Sequence, residues 1–405
     1  MTPVPPPRPP LSPLASPDPS STAAHLRPTL GVALIGQKFM GRAHSNAFQQ
    51  ALRFCNPPLA PRLEWVAGQD RAELERFAAT WGWKRTTTAW RDLVADPAVD
   101  LVDVATPNHL HREPAVAALA AGKHVLCEKP LAGTLEDARA MAEAAAAARG
   151  RAFVWFNYRR CPAVATAWKL VREGRLGRIY HARASYLQSW GGPETPRSWR
   201  FERANAGSGA HGDLNAHLID LVRFLLGEEL THVHGAVQRT FIEQRADLTG
   251  RPARSDVDDA LLFLASSQGG TLCSFESSRL AAPHQNANAI ELNGERGSLR
   301  FEFEDMNVLR FADAADGPRE GGWRRIMCTH AGSHPYAEFW WPDAHLIGYE
   351  HTFTNQVADV LGALAGRQPA VPLPTFADAF EVQRVLHAAV LAAETGHSIP
   401  LAEVR

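Results

Sequence analysis

The chain has 405 residues, with 42 Lys and Arg against 43 Asp and Glu and a formal net charge of −1. This balance argues against a nucleic-acid-binding protein, because such proteins normally carry a basic excess or a basic face. The sequence has no apolar run of about 18 residues, so we expect no membrane span. The five scattered cysteines form no C-x-x-C pair, which is typical of a cytoplasmic protein without a zinc module.

Residues 1–28 are rich in Pro and Ser and lack the apolar segment of a secretory signal. Such a composition buries too little apolar surface to offset the entropy of ordering, so we expect a disordered tail. A docking or targeting role and a plain solvated tail both fit this composition.

Strands and helices alternate from Thr29 onward. The run TLGVALIG (29–36) predicts a buried parallel strand, and further βα units follow as far as the strand AFVWFNYR. This alternation is typical of a doubly wound parallel sheet, which binds ligands at the carboxyl ends of its strands. The chain length favours two domains. We expect the first, a dinucleotide-binding Rossmann domain, over residues 29–155.

The pattern changes beyond residue 160. Strands follow one another with turn signals such as QGG and NGERGS, which predicts a mostly antiparallel sheet. One helix (213–226) precedes these strands, and two helices (350–365 and 375–395) close the chain. The expected fold is therefore an α/β Rossmann domain followed by an α+β domain, residues 156–405, with a large mostly antiparallel sheet.

A glycine turn, Gly36-Gln37-Lys38-Phe39-Met40-Gly41, joins the first strand to the first helix. A dinucleotide site normally has G-x-G-x-x-G here, and in this chain Lys38 replaces the middle glycine. Lys38 either adds a positive charge near the pyrophosphate or points to solvent. Because a strand precedes the turn and a helix follows it, the sequence predicts a cofactor site formed by Gly36, Lys38, Phe39, Met40 and Gly41.

The second strand ends at Gly68-Gln69-Asp70, where an acidic residue would hold the adenine ribose. Asp70 stands about two places later than the usual position. NAD is favoured as cofactor because no arginine occurs among these three residues, and NADP stays open.

Two further motifs follow neighbouring strands of the predicted sheet: Thr106-Pro107-Asn108-His109-Leu110-His111 and Cys127-Glu128-Lys129-Pro130. Both lie at the edge of the sheet where a nicotinamide would be found. They add six residues to the predicted cofactor site: Thr106, Pro107, Asn108, His111, Glu128 and Lys129.

Together with KFMGRAHSNAF near the glycine turn and GSGAHGDLNAHLIDLVRFLLG at 207–227, these motifs resemble the Gfo/Idh/MocA family of glucose–fructose oxidoreductases and inositol dehydrogenases. The T-P-N-x-x-H and E-K-P motifs match unaltered, and the resemblance extends from about residue 30 to 400. It is strongest to bacterial sugar and inositol dehydrogenases, including a levoglucosan dehydrogenase-like subgroup. The resemblance implies a cis peptide at Lys129–Pro130 and an open sheet face that packs against a second subunit, as a homodimer or homotetramer.

An enzyme that oxidises a secondary alcohol needs a base for the hydroxyl proton and a cation beside the developing alkoxide. Lys129 suits the second task, with a solvated lysine as the alternative. Asp213 and His217 stand four residues apart in a predicted helix and share one face. We expect His217 to be the base and Asp213 to orient it or bind a substrate hydroxyl. A helix cap at Asp213 and a core histidine are the alternative.

Five more side chains are candidates for substrate binding. The segment 334–353 is dense in aromatic and histidine residues, which suit the apolar faces and polar edges of a polyhydroxylated ring. A subunit interface would also explain that density. The candidates are Tyr158, Arg159, Trp199, Tyr336 and His345. Histidine spacing gives no metal site, so none is expected.

The expected function is NAD(P)-dependent oxidation of a secondary hydroxyl of a sugar, cyclitol or anhydrosugar. Two alternatives stay open: an NAD-dependent glycoside hydrolase of the same superfamily, and a non-enzymatic NAD(H)-binding regulator. Both would bind the cofactor, but the hydrolase would give no net NADH and the regulator would need no base.

Overall fold

The computed structural model describes residues 27–405. Residues 1–26 of the expected N-terminal tail lie outside this described range. No helix within it is both long and apolar enough to cross a membrane.

The first half of the chain forms a six-stranded parallel sheet with the strand order β3-β2-β1-β4-β5-β6. Its core is apolar because β1 and β4 are almost wholly buried. The strand order reverses direction between β1 and β4, which is the point where such sheets bind ligands. The strands are Thr29–Ile35 (β1), Ala60–Ala67 (β2), Arg85–Thr87 (β3), Leu101–Val104 (β4), His124–Cys127 (β5) and Ala152–Val154 (β6). The connecting helices are Phe39–Phe54 (α1), Arg71–Trp81 (α2), Trp90–Ala95 (α3), Arg112–Ala120 (α4) and Leu135–Ala147 (α5).

The second half forms a nine-stranded sheet, β16-β15-β14-β13-β7-β12-β11-β8-β17, in which only β7 and β12 pair in parallel within the described residues. The expected α+β fold is confirmed. The strands of this half are Ile179–Leu187 (β7), Leu230–Arg239 (β8), Gln244–Ala246 (β9), Pro252–Arg254 (β10), Ala260–Ser267 (β11), Leu272–Ser278 (β12), Ala287–Gly294 (β13), Gly297–Glu302 (β14), Val308–Asp313 (β15), Arg324–Met327 (β16) and Ile399–Pro400 (β17). The helices are Pro162–Arg172 (α6), Arg203–Ala206 (α7), Ala216–Leu226 (α8), Tyr349–Leu364 (α9) and Phe376–Thr395 (α10).

The two faces of the nine-stranded sheet differ. Helix α8, all of whose residues are buried, packs on β7 and β13 on one side. The other side exposes apolar side chains at Val237, Leu262 and Leu264. The expected homo-oligomer would cover this open face, and it stays a prediction.

The last two helices connect the second half of the chain back to the first sheet. Helix α9 packs on α1, and α10 packs on α5. The backbone N–H of Val154 donates to the carbonyl oxygen of Pro374 over 2.9 Å. The cofactor half and the C-terminal helices therefore form one packed unit around the end of β6.

The predicted strand AFVWFNYR ends earlier than expected. Strand β6 stops at Val154, a 3₁₀ turn spans Asn157–Arg160, and α6 begins at Pro162. A proline at the first helical position is pre-set for a helix, which explains the start of α6. The change of direction turns Arg159 inward, where its Nε donates to Asp220 Oδ2 over 2.9 Å.

Breaking this buried ion pair is expected to destabilise the fold strongly. Arg159 is 3% exposed, so Asp220→Ala leaves its guanidinium buried without its carboxylate. We expect the free energy of unfolding to fall by about 3–5 kcal/mol, as measured by urea denaturation. The matched control is Asp137→Ala, which breaks an exposed pair with Arg112 and should cost less than about 1 kcal/mol. Equal losses in the two variants would contradict this assignment.

Candidate active site

A cleft of about 1220 Å³ lies at the carboxyl ends of β1, β2, β4 and β5, opposite α8 and β7. It contains most of the residues that the sequence predicts for cofactor and substrate. A smaller depression of about 820 Å³ lies on the open face of the nine-stranded sheet and is lined by none of them. The cleft is therefore the candidate active site.

The glycine turn is built for a close backbone approach. Gly36 has a φ of +120°, and a Cβ there would stand 2.3 Å from the carbonyl oxygen of Ala105. A Cβ at Gly41 would stand 2.2 Å from the carbonyl oxygen of Gly36, so Gly41 packs the helix against the turn. Only glycine fits at these two positions, as the dinucleotide motif requires.

The N-terminus of α1 is suited to a phosphate. Helix α1 begins at Phe39, has no acidic residue in its first turn, and receives no capping hydrogen bond from a side chain in the described range. Its first N–H groups and the positive end of the helix dipole therefore face the cleft beside the turn. Gln37 also lines the cleft, and both polar atoms of its buried amide lack a partner within residues 27–405. These features fit the pyrophosphate of a dinucleotide.

The side chains that follow the turn border the same end of the cleft. Lys38, Phe39 and Met40 line it, and Lys38 Nζ lies 2.6 Å from Glu73 Oε2. Asp70 caps α2, because its Oδ1 accepts from the N–H of Glu73 over 2.8 Å. The end of β2 thus presents two carboxylates and a lysine that is already paired.

The T-P-N motif divides into cleft residues and a structural residue. Thr106, Pro107 and Asn108 line the cleft after β4. His111 is fully buried, and its two ring nitrogens lie 3.1 and 2.9 Å from the carbonyl oxygens of Leu131 and Thr106. His111 therefore holds the loop together and does not border the cleft, contrary to the prediction that it contacts the cofactor.

Glu128 connects the cleft to a buried histidine that the sequence analysis did not single out. Its carboxylate accepts from the backbone N–H of Lys129 over 3.0 Å and contacts His44 Nε2 at 3.1 Å. His44 Nδ1 lies 3.0 Å from Asp103 Oδ2. Burial would lower the pKa of His44, but the two carboxylates outweigh it and raise the pKa to about 9. This charged network supports the backbone that carries Lys129, whose bond to Pro130 is cis as the resemblance implies.

Lys129 reaches across the cleft to the start of α8. Its Nζ donates to Asp213 Oδ1 over 2.7 Å and to the carbonyl oxygen of Asp213 over 3.1 Å. Arg279 Nη2 donates to the other carboxylate oxygen of Asp213 over 2.8 Å. Burial would raise the pKa of Asp213, but the neighbouring cations, Lys129 before Arg279, hold it well below its usual range. Asp213 is therefore a carboxylate fixed between two positive charges.

His217 lines the cleft one turn further along but does not hydrogen-bond to Asp213. Residues His211–Asn215 form a π-helical turn before α8, and this wider turn removes the simple i, i+4 alignment that the sequence predicted. His217 instead packs on Tyr158, with ring centroids 4.4 Å apart. Burial, followed by the positive charge of Lys129, holds the pKa of His217 well below 6.5. The expected orienting contact from Asp213 is therefore absent.

The remaining substrate candidates separate clearly. Tyr158 and Trp199 line the cleft, whereas Arg159, Tyr336 and His345 do not. Arg159 is turned inward by its pair with Asp220. Tyr336 is buried and donates its hydroxyl to Asp359, and exposed His345 contacts the carbonyl oxygen of Pro342. The aromatic segment 334–353 thus supplies packing at these two positions and no side chain to the cleft from them.

The structure adds cleft residues that sequence reasoning missed. Tyr186, Gln188, Trp190, Asn286 and Arg279 line the wall opposite the glycine turn. The first three alternate along β7 and its continuation, so a period of two could have placed them on one face. Asn286 and Arg279 belong to no motif and reach the cleft only through the sheet pairing. Within residues 27–405, no group of three or more His, Cys, Asp or Glu side chains is arranged to hold a metal ion.

Comparison with known proteins agrees with this geometry. Residues 30–156 match the model of the oxidoreductase family with an NAD-binding Rossmann fold, and residues 164–300 match the GFO/IDH/MocA C-terminal domain. Levoglucosan dehydrogenase of Pseudarthrobacter phenanthrenivorans is 40% identical over 369 residues, 87% of this chain and 93% of that protein. 

Two solved structures are similar over 92% of this chain and 99% of their own. An oxidoreductase domain protein from Kribbella flavida has a TM-score of 0.89 at 47% identity. Levoglucosan dehydrogenase in complex with NADH and levoglucosan has a TM-score of 0.87 at 38% identity. The resemblance drawn from the motifs is thereby confirmed, together with the NAD cofactor and the oxidoreductase class. This chain belongs to the Gfo/Idh/MocA family of NAD-dependent sugar and polyol dehydrogenases.

Proposed function

We propose that this protein oxidises a secondary hydroxyl of a sugar, cyclitol or anhydrosugar, with His217 as the base and Lys129 polarising the hydroxyl oxygen. The observation that carries the proposal is the convergence of Lys129, Asp213 and His217 on one cleft that also holds the glycine turn. NAD, when bound there, accepts a hydride from the carbinol carbon. The similarity to levoglucosan dehydrogenase supports a neutral sugar as the substrate class.

Lys129 has the donor geometry for its role. An ammonium group has three N–H bonds, and Asp213 accepts two of them. The third is left for the substrate oxygen, whose developing negative charge the ammonium stabilises. In this proposal Asp213 is a positioning carboxylate, fixed by Arg279 and holding Lys129.

His217 has the protonation state that a base needs. Because its pKa is held well below 6.5, the imidazole is neutral at neutral pH and can accept the hydroxyl proton. Tyr158 packs on the ring and limits its rotation. His217 then passes the proton to solvent at the mouth of the cleft.

The test is a screen of the purified protein with NAD against levoglucosan, inositols and aldoses, followed by nicotinamide absorbance. We expect turnover of at least one ring polyol, with loss of turnover in His217→Asn and retained NADH binding. Cleavage of a glycoside without net NADH would instead favour the hydrolase. Tight NADH binding without any turnover would contradict the proposal.

We further predict that Glu73 sets the preference for NAD over NADP. Glu73 pairs with Lys38 and adds a negative charge where a 2′-phosphate would lie near Asp70. Glu73→Gln should remove that charge, free Lys38, and lower the ratio of the NADPH to the NADH dissociation constant by about tenfold. Fluorescence titration with the two nucleotides measures this ratio.

The matched control for this prediction is Glu75→Gln. Glu75 lies on the same helix, is exposed and does not line the cleft, so the same charge change should leave the ratio unaltered. Lys38→Ala in the Glu73→Gln background should cancel the gain. An unchanged ratio in Glu73→Gln would show that the pair does not select the cofactor.

A further inference from the structure

Trp190 is a large apolar side chain that stays partly exposed inside the cleft. It is 39% exposed and borders the same space as Lys129, Asp213 and His217. Exposed tryptophan surface in a concave site is costly in water and favourable against a ligand. The proposed catalytic residues give Trp190 no role, and no sequence motif includes it.

The edge of the Trp190 ring is anchored by a chain of hydrogen bonds. Its indole N–H donates to Gln188 Oε1 over 2.6 Å, and the Gln188 amide donates to Asn286 Oδ1 over 2.7 Å. The Tyr186 hydroxyl also donates to Asn286 Oδ1 over 2.7 Å and lies 2.8 Å from the Tyr158 hydroxyl. The chain therefore connects Trp190 to the ring on which His217 packs.

The face of the Trp190 ring is anchored by a stack of cations and aromatic rings. Arg279 Cζ lies 4.9 Å from the Trp190 ring centroid, and Arg245 Cζ lies 3.9 Å from that of Phe201. Trp190 and Phe201 pack edge to face at 5.8 Å. Arg279 in turn holds Asp213, so one guanidinium separates the indole from the catalytic carboxylate. Such fixation lowers the entropy that a bound ligand would have to remove from the side chain.

The loop that carries Trp190 also depends on a close approach. A Cβ at Gly191 would stand 2.7 Å from the Arg279 Cβ, and the Gly191 N–H donates to the Arg279 carbonyl oxygen over 3.0 Å. Glycine at this position lets the loop lie directly on Arg279. The indole is thus held at its edge, at its face and through its backbone.

From this geometry we propose that Trp190 is the platform on which the substrate lies, and that the substrate is a closed-ring polyol bound through its apolar C–H face. This inference rests on the proposed function and makes its substrate class narrower. A pyranose, cyclitol or anhydrosugar presents a rigid C–H face that matches an indole, while its hydroxyls reach the polar groups beside it. An open-chain polyol presents no fixed face and loses more torsional freedom on binding.

The experiment measures kcat and KM for Trp190→Ala, Trp190→Phe and the unaltered protein with NAD and saturating cofactor. Levoglucosan and myo-inositol are the ring probes, and D-sorbitol is the open-chain probe. Trp323→Ala is the matched control, because Trp323 is 45% exposed and does not line the cleft. NADH dissociation constants report whether each variant retains the cofactor site.

For the ring probe that the unaltered protein oxidises, Trp190→Ala should raise KM about tenfold with kcat within about threefold. Trp190→Phe should restore most of the affinity, and Trp323→Ala should match the unaltered protein. Equal KM values in Trp190→Ala and the unaltered protein, or oxidation of sorbitol as efficient as that of the rings, would overturn the platform while the dehydrogenase function stands. No turnover of any probe by a protein that binds NADH would instead overturn the proposed function, and the platform with it.

Discussion

Lys129→Ala should lower kcat/KM by about a thousandfold while leaving the protein folded and able to bind NADH. The variant loses the ammonium group that faces the substrate oxygen, so the developing alkoxide is left without its cation. Lys129→Arg should recover little of this loss, because a planar guanidinium cannot take the position of a compact ammonium between two Asp213 oxygens. Initial rates of NADH formation with the best ring polyol of the screen give both values.

The control for this prediction is Lys169→Ala. Lys169 is an exposed residue of α6 outside the cleft, so its removal should leave kcat/KM unchanged. In Lys129→Ala the Asp213 carboxylate keeps its contact with Arg279, which should preserve the start of α8. Activity within about threefold of the unaltered protein would exclude Lys129 from the role proposed here.

The cofactor half of the cleft was predictable because its determinants are local in sequence. The glycine turn, the T-P-N motif and the E-K-P motif each lie directly after a strand, and parallel strands bring their carboxyl ends to one edge. The exception is His111, whose place in the motif gave no sign that its ring would turn inward to two backbone carbonyls. A motif fixes the backbone path more firmly than the direction of each side chain.

The substrate half was harder to predict because its contacts are long-range. Arg279 follows its partner Asp213 by 66 residues, and Glu128 follows His44 by 84. Neither spacing leaves a periodic signal. Aromatic density in 334–353 pointed to the wrong segment, since Tyr336 is satisfied by Asp359 in the core. The cleft takes its tryptophan from the end of β7, where the sequence shows only one aromatic residue among polar ones.

The π-helical turn at His211–Asn215 explains why Asp213 and His217 have separate partners. Five residues in the turn displace Asp213 toward Lys129 and Arg279, while His217 stays against Tyr158. The result separates a fixed anion from a neutral imidazole within one helix. Environment, more than residue type, thus assigns the two roles.

His217→Asn should lower kcat/KM by about 10²- to 10⁴-fold, because asparagine keeps the polar shape but accepts no proton. In the unaltered protein the pKa of His217 lies well below 6.5, so kcat/KM should stay level through neutral pH and fall only well below pH 6.5. His217→Asn should lack that acid limb. His232→Asn, an exposed histidine of β8, is the control and should keep both the rate and the profile.

A second variant tests the cause of the lowered pKa. Burial and then the positive charge of Lys129 lower the pKa of His217, while Asp213 opposes them. Lys129→Ala removes one of the two lowering effects, so the pKa of His217 should rise toward 6.5. An NMR titration of the His217 ring measures this shift directly, without need of turnover. A His217 pKa that is unchanged or lower in Lys129→Ala would mean that the two side chains are not electrostatically coupled, and would separate the base from its proposed cation.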